Sequence, residues 1–406
     1  MVTHLLPLRL CLHTPFAIAH DTYTFRDTII VRMSGAGAEG YGEIPIVPYY
    51  NITRESAQAQ VRSLIPWLTD RFPERVGNGQ RRSRPTPKPE SMIALAEEIE
   101  RRARRPAGAD HAMHHDAGDQ GAAREGGDPH PFVTAGLSEA LLDWTARLGG
   151  QAVTQLLGLP PVRARISSYT IAERDPQKAA DLLRNALAAG TSEGFPLKIK
   201  CGYEDDVSTV AAIRQTAPQA ELWIDCNGGW SAAEAVARAR AMERQRVTLI
   251  EEPVRNDPGA LQQVASSVDV PVIADESIAS LAALGMLETT APSVAGVVLK
   301  VAKLGGPLTF LAGRRWLQER SRRFMVGEMV EGSVGTAWAL ALADGASWVD
   351  LDAPVLASDD PADGLDAVAG RVAIPDEEAA GTGVRVASEF WEEAMPGRDD
   401  EGESDE

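Results

Sequence analysis

Lysines and carboxylates recur along the second half of the chain at nearly constant spacing. They occur as Lys198-Ile199-Lys200, Asp225-Cys226-Asn227, Glu251-Glu252-Pro253, Asp275-Glu276-Ser277 and Lys300-Val301-Ala302-Lys303. From Lys200, the steps to Asp225, Glu251, Asp275 and Lys303 are 25, 26, 24 and 28 residues. Asp225, Glu251 and Asp275 offer three hard oxygen ligands with no Cys or His among them, a set that suits Mg²⁺ with positions left open for water or substrate. An amine accepts a proton when burial or neighbouring cations lower its pKa, and Lys198 and the metal would supply that positive field for Lys200. Lys200 and Lys303, approaching from opposite sides, then form an acid/base pair. One removes the α-proton of a carboxylate substrate, the other donates from the opposite face, and the metal holds the enediolate. That is a 1,1-proton transfer.

The elements that must position these groups are short strands. Most of the motifs close an apolar run, such as Trp223-Ile224, Leu249-Ile250, Val272-Ile273-Ala274 and Val297-Val298-Leu299. A strand-then-helix repeat of this length is the βα unit of a (β/α)₈ barrel, whose strand ends converge on one site. Strands are expected near residues 166–171, 196–201, 221–225, 248–251, 270–275, 296–300, 323–327 and 348–351, with alanine-rich amphipathic stretches such as 232–243 between them. On the eighth strand, alternation puts Asp350 and Asp352 on one side, where two carboxylates would hold the ammonium group of a substrate. Glu328 and Glu331 follow the seventh strand. All seven histidines lie at or before His130, so no barrel strand contributes a histidine base or a His-bound zinc.

Residues 2–50 read as an antiparallel meander with a loop over 14–24, and 53–72 and 90–105 have helical periodicity. The expected architecture is α/β: a (β/α)₈-type barrel carrying an N-terminal α+β capping domain. The expected division is a cap over 1–130, the barrel over 131–370, a segment 371–393 returning to the cap, and an acidic solvated tail over 394–406. Composition collapses to Gly, Ala, Asp and His at 106–131, which reads as a flexible insertion; its His111, His114 and His115 fit a low-complexity loop better than a metal site.

Apolar residues make up 44% of the 406, enough for a full core, and no stretch resembles a membrane span. Net charge is −18 with no basic patch, which argues against nucleic acid as a partner. Residues 1–12 lack the pattern of a secretory signal. Three cysteines without metal-type spacing point to reduced thiols and a cytoplasmic protein.

With these motifs the chain resembles the enolase superfamily, and within it the muconate-lactonising subgroup, over roughly residues 5–356. That subgroup carries Lys-x-Lys on the second strand, three metal-binding acids on the next three and a lysine on the sixth. The string Lys300-Val301-Ala302-Lys303-Leu304-Gly305-Gly306 is similar to its Lys-x-x-Lys-x-Gly-Gly, and by that match Lys303, not Lys300, faces the substrate. Asp350-Leu351-Asp352-Ala353-Pro354 and Ser167-Ser168-Tyr169-Thr170-Ile171 resemble segments of dipeptide epimerases. The resemblance implies Lys200 and Lys303 as the acid/base pair, Asp225, Glu251 and Asp275 as Mg²⁺ ligands, Lys198 and Glu276 as electrostatic support, and Asn227 as a group orienting the metal's surroundings. It implies a small carboxylate substrate, a dipeptide held through Asp350 and Asp352, and a homo-oligomer.

Two departures bear on specificity. Relatives acting on Ala-Glu bind the glutamate side chain with an arginine of the capping loop, and the matching stretch here carries Asp21. With Asp21 facing the site, a cationic or apolar substrate side chain is expected. Glu328 stands where relatives have a small or sulfur-bearing residue and adds negative potential. N-acylamino acid racemase, o-succinylbenzoate synthase and cycloisomerase chemistry would use the same lysines, but those substrates have no ammonium group for the paired aspartates. A non-catalytic metal-binding barrel would not need both lysines and all three acids.

Overall fold

The computed structural model describes residues 1–72, 87–103, 128–188, 194–255, 257–376 and 378–394. Most of the 106–131 insertion, its three histidines and nearly all of the acidic tail lie outside the described residues.

Three long strands open the chain: β1 (Val2–Ile18), β2 (Asp21–Gly35) and β3 (Ala38–Ile46), paired antiparallel in that order. The helices α1 (Arg54–Asp70), α2 (Pro89–Arg102) and α3 (Pro131–Leu148) complete this cap. Thr53 and Ser56 start α1 with reciprocal side-chain-to-backbone bonds, satisfying two amides that the helix cannot. α3 lies flat on β3 because Gly40 and Gly42 leave room for it. A Cβ at Gly40 would stand 2.0 Å from the Trp144 nitrogen, and one at Gly42 2.0 Å from the Gly136 carbonyl oxygen. Residues 132–146 of α3 are all buried, so their polar side chains must find partners inside. Glu139 accepts from the Glu43 amide at 2.9 Å, and Asp143 accepts from the amides of Tyr41 and Thr382 at 2.9 and 2.7 Å.

The barrel has eight parallel strands in sequential order: Tyr169–Ile171, Leu197–Lys200, Leu222–Asp225, Val247–Glu251, Val272–Ala274, Gly296–Leu299, Arg323–Gly327 and Trp348–Asp350. The ring is completed between the eighth strand and the first by the Ser168 amide on the Val349 carbonyl, at 3.0 Å. Strand alternation sorts each strand into two sets. Trp223, Leu249, Ile273, Val298 and Met325 meet inside the barrel with Trp348. Ile224, Ile250, Ala274, Leu299 and Val326 face the surrounding helices. Two residues after each inward apolar residue, apart from Met325 where the position is Gly327, the next side chain points inward again, at the C-terminal mouth. There stand Asp225, Glu251, Asp275, Lys300 and Asp350. The alternating apolar layer is a plug that closes the barrel below the site.

The segment after the barrel packs on both parts. Arg371–Ala373 pairs with Ala164–Ile166 beneath the first strand. The Trp391 ring faces Tyr41 and carries the Arg32 guanidinium at 4.2 Å.

Candidate active site

The mouth of the barrel and the underside of the cap enclose a cavity of about 100 Å³. Barrel residues in its wall include Thr170, Lys198, Lys200, Asn227, Glu276, Lys300, Glu328, Asp350 and Asp352; the cap contributes Phe16, Ile18, His20, Tyr23, Arg26, Tyr49 and Tyr50. Asp225, Glu251 and Asp275 are buried just beneath this wall, in contact with the lysines that line it, and form the floor of the site.

Each floor acid is bound by lysine. Lys198 Nζ lies 3.0 Å from Asp225 Oδ2, 3.0 Å from Glu251 Oε2 and 2.6 Å from Asp350 Oδ2. Lys200 Nζ is 2.6 Å from Asp225 Oδ2, and its ammonium faces the Phe16 ring at 5.5 Å. Lys300 Nζ is 2.8 Å from Asp275 Oδ2. Asn227 has a left-handed backbone (φ 43°). Its side-chain amide donates to Glu276 at 3.0 Å, and its carbonyl accepts from the His20 ring at 2.9 Å, which ties the cap loop to the third barrel loop.

These pairs set the protonation states. Burial pushes the Asp225 carboxyl up, but the ammonium groups of Lys198 and Lys200 outweigh it and hold it well below the usual carboxylate range. Asp275 is lowered in the same way by Lys300 and Lys303 against the effect of burial. Glu251 is raised, by burial and then by the charge of Asp225. Burial favours the neutral amine at Lys300, yet Asp275 holds it protonated above its ordinary range. Asp352 is pushed up to about 7 by burial and by Asp350.

Among the described residues, no three acids stand together around one point, because lysine ammonium groups lie between them. The donor set nevertheless fits a divalent cation. Glu251 Oε2, Asp275 Oδ2 and Glu276 Oε2 are buried and accept no hydrogen bond. The ammonium groups near the first two are close enough to attract but are misaligned to donate. Unsatisfied carboxylate oxygens inside a protein are costly, and oxygen ligands on three neighbouring strands match the preference of Mg²⁺.

Two placements differ from the sequence reading. Lys300, not Lys303, opens on the cavity. Val298 points into the barrel, Leu299 away and Lys300 inward again, whereas Lys303 sits one turn into the short helix Val301–Leu304. From there it reaches Asp275 from the side away from the cavity, donating to the side chain, to the Asp275 carbonyl and to the Val298 carbonyl. The exposures are 8% for Lys300 and 2% for Lys303. The second difference is Asp21, which is exposed at the first position of β2 and does not line the cavity. Its side chain turns back on the Thr22 amide at 2.7 Å.

Asp350 and Asp352 both reach the cavity, but they are engaged differently. Asp350 accepts from Ser168 Oγ at 2.5 Å and from Lys198 at 2.6 Å. The Asp352 carboxylate accepts from the Thr170 amide, at 2.5 Å. Glu328 stands beside it, held by Thr336 Oγ1 at 2.6 Å and by the Ala353 amide at 2.8 Å. Arg26 and His20, both in the wall, were missed from sequence. Strand alternation in β2 could have flagged Arg26; nothing local marks His20.

A family model described as enolase C-terminal domain-like matches residues 178–390, just over half of the chain. An L-Ala-D/L-amino acid epimerase from Maribacter sp. is 26% identical over 355 residues, covering 87% of this chain and 90% of the relative. The substrate-liganded L-Ala-D/L-Glu epimerase from Bacillus subtilis superposes with TM-score 0.77 at 24% identity, over 95% of this chain and 99% of that one. The dipeptide epimerase from Cytophaga hutchinsonii, complexed with Mg and D-Ala-L-Val, gives 0.78 at 21% identity over 96% and 97%. The chain therefore belongs to the enolase C-terminal domain-like family, in the muconate-lactonising subgroup of the enolase superfamily, and is an isomerase.

Proposed function

We propose that this chain is a Mg²⁺-dependent dipeptide epimerase that inverts the α-carbon beside the terminal carboxylate. One observation carries the reading. Lys200 and Lys300 rise from the second and sixth strands on opposite sides of three buried carboxylates, and an acidic group from the seventh and eighth strands lines the same cavity. Relatives named for dipeptide epimerisation support the substrate class.

Asp225, Glu251 and Asp275 would hold the metal. Bound Mg²⁺ would supply positive charge where the substrate carboxylate gains negative charge, and would offset the carboxylate charge that holds Lys198 and Lys300 protonated. Lys200 and Lys300 flank the α-carbon; a neutral amine on one side takes the proton while the ammonium on the other gives one back. Lys198 is fixed by Asp225, Glu251 and Asp350, so its charge stays aimed at the developing enediolate. Asp350, committed to Lys198 and Ser168, positions that lysine. Asp352 and Glu328 have no cation partner among the described residues and are the acids available to the substrate ammonium. Phe16, Tyr49 and Tyr50 close the cavity from above and keep water from the carbanion. Two of the three cysteines are buried and all are free, in keeping with a cytoplasmic setting. No helix among the described residues is long and apolar enough to cross a membrane.

The test compares an L,L-dipeptide with its N-acetyl analogue in the native protein and in Asp352→Asn. The native protein should favour the free amine, and the variant should lose that preference through KM. Preference for the acetylated compound would replace this reading with an N-acylamino acid racemase.

A further inference from the structure

Arg26 is the one group in the cavity wall whose charge nothing described above uses. It is 7% exposed, and its Nε is buried and donates to no acceptor. The other arginines of the first two strands are ion-paired: Arg9 with Asp27 at 2.9 Å and Arg32 with Glu39 at 3.4 Å. Among the described residues no acid stands within ion-pair distance of Arg26. Its guanidinium lies on the Tyr23 ring, 3.3 Å from the centroid. That stacking fixes the plane and leaves the edge of the fork, where arginine donates, for an acceptor. The Tyr23 side chain and, from beyond ion-pair distance, the charge of Asp21 act on the guanidinium, but its buried Nε has no acceptor, a cost that a ligand carboxylate would relieve.

The register of the cap strands places this arginine. Arg26 pairs with Leu10. Two residues on, Leu12 bridges to Ala357, and the Cys11 carbonyl accepts from the Ser358 amide at 2.8 Å. Both contacts are to the segment leaving the eighth barrel strand, the segment that carries Asp352 and Ala353 into the cavity. The backbone at Arg26 therefore lies on the side where the chain leaves the eighth barrel strand, and its side chain is in the cavity wall with Asp352 and Ala353, placed to meet the residue of the substrate that carries the ammonium.

Resting on the dipeptide reading, we infer that Arg26 binds an acidic side chain on the first residue of the substrate, so that the preferred substrates are L-Asp-Xaa or L-Glu-Xaa dipeptides. The ammonium of that residue meets Asp352 and Glu328, and its side-chain carboxylate meets Arg26 through two parallel charge-assisted bonds. The alternation of charge in the wall mirrors that of an acidic amino acid, and it reverses the preference that Asp21 would have set.

The experiment measures kcat/KM for epimerisation of L-Glu-L-Ala, L-Asp-L-Ala, L-Ala-L-Glu and L-Ala-L-Ala with Mg²⁺, in the native protein and in Arg26→Met and Arg26→Lys. Native protein should favour the acidic-first substrates over L-Ala-L-Ala by about tenfold to a hundredfold, the range of one hydrogen-bonded charge pair. That ratio should collapse in Arg26→Met and recover in part in Arg26→Lys. The ratio is internal to each protein, so partial unfolding of a variant does not imitate the result. Equal rates on L-Ala-L-Ala and the acidic-first pair in native protein would overturn the inference alone. So would a preference for L-Ala-L-Glu that Arg26→Met abolishes, since Arg26 would then serve the second residue. No turnover of any dipeptide would overturn the dipeptide reading and this inference with it.

Discussion

Replacing Lys300 and Lys303 one at a time separates proton transfer from support. Lys300→Met removes an ammonium group that faces the cavity at 2.8 Å from Asp275. Loss of a positioned acid/base typically costs about 10²–10⁴ in rate, or about 2.7–5.5 kcal/mol of transition-state stabilisation. The stereochemical signature is sharper than the rate. With Lys200 alone, one epimer still exchanges its α-proton with solvent, but neither is converted to the other. Lys200→Met should show the mirror pattern, exchanging only the opposite epimer. Lys303→Met removes a side chain that donates to three oxygens, two of Asp275 and the Val298 carbonyl. Breaking a buried pair of that kind costs about 3–5 kcal/mol of stability, so its melting temperature should fall while exchange and inversion stay coupled in whatever protein remains folded. The assay is proton NMR of each pure epimer in D₂O, following loss of the α-proton signal and appearance of the other epimer. Inversion that survives in Lys300→Met, or exchange without inversion in Lys303→Met, would refute the assignment of the second base.

Three further outcomes follow from the packing. Glu43 of the cap and Glu331 of the barrel are raised to about 7 and about 8, both chiefly by burial, with Asp360 adding to Glu43 and Glu43 adding to Glu331. Because their folded values lie above the ordinary 4.5, the stability they contribute is complete below about pH 4.5 and is lost as pH rises through 7 to 8. Melting temperature should fall between pH 5.5 and 8.5, less steeply in Glu43→Gln; a rise over that range would contradict the assignment. Gly40→Ala places a Cβ 2.0 Å from the Trp144 nitrogen. Overpacking against backbone costs about 1–3 kcal/mol or more, so the variant should melt well below the native protein. Gly285 lies in the helix Leu281–Thr290 with nothing within 4 Å of a new Cβ. Gly285→Ala should stabilise by roughly 1 kcal/mol, and urea titration of both glycine variants checks the contrast.

The barrel and the acids at its mouth were legible because two simple periods coincide. A βα repeat sets the spacing of Asp225, Glu251 and Asp275, and each follows an inward residue by two positions, as Trp223, Leu249 and Ile273 now show. The same alternation, applied to Val298, selects Lys300; the matched string Lys-x-x-Lys-x-Gly-Gly selected Lys303 instead. A motif fixes spacing along the chain but not which lysine still lies on the strand when the helix begins. Asp21 was misplaced for a related reason. The stretch 14–24 does line the mouth, through Phe16, Ile18, His20 and Tyr23, but as strand and not as loop: β1 and β2 run nearly through it, leaving only Ala19 and His20 between them. That extension puts Asp21 outside and carries Arg26 inward. The engagement of Asp350 with Lys198, which divides it from Asp352, depends on two side chains 152 positions apart and no local pattern records it.

The most direct test of the central claim is conversion of a single L,L-dipeptide, L-Glu-L-Ala, in D₂O with Mg²⁺, followed by chiral analysis and mass spectrometry. The geometry of Lys200 and Lys300 predicts L-Glu-D-Ala carrying one deuterium, located at the α-carbon of the second residue and absent from the first, with conversion abolished by EDTA. Unchanged substrate without deuterium, in this dipeptide and across a pooled L,L-dipeptide library, would contradict it.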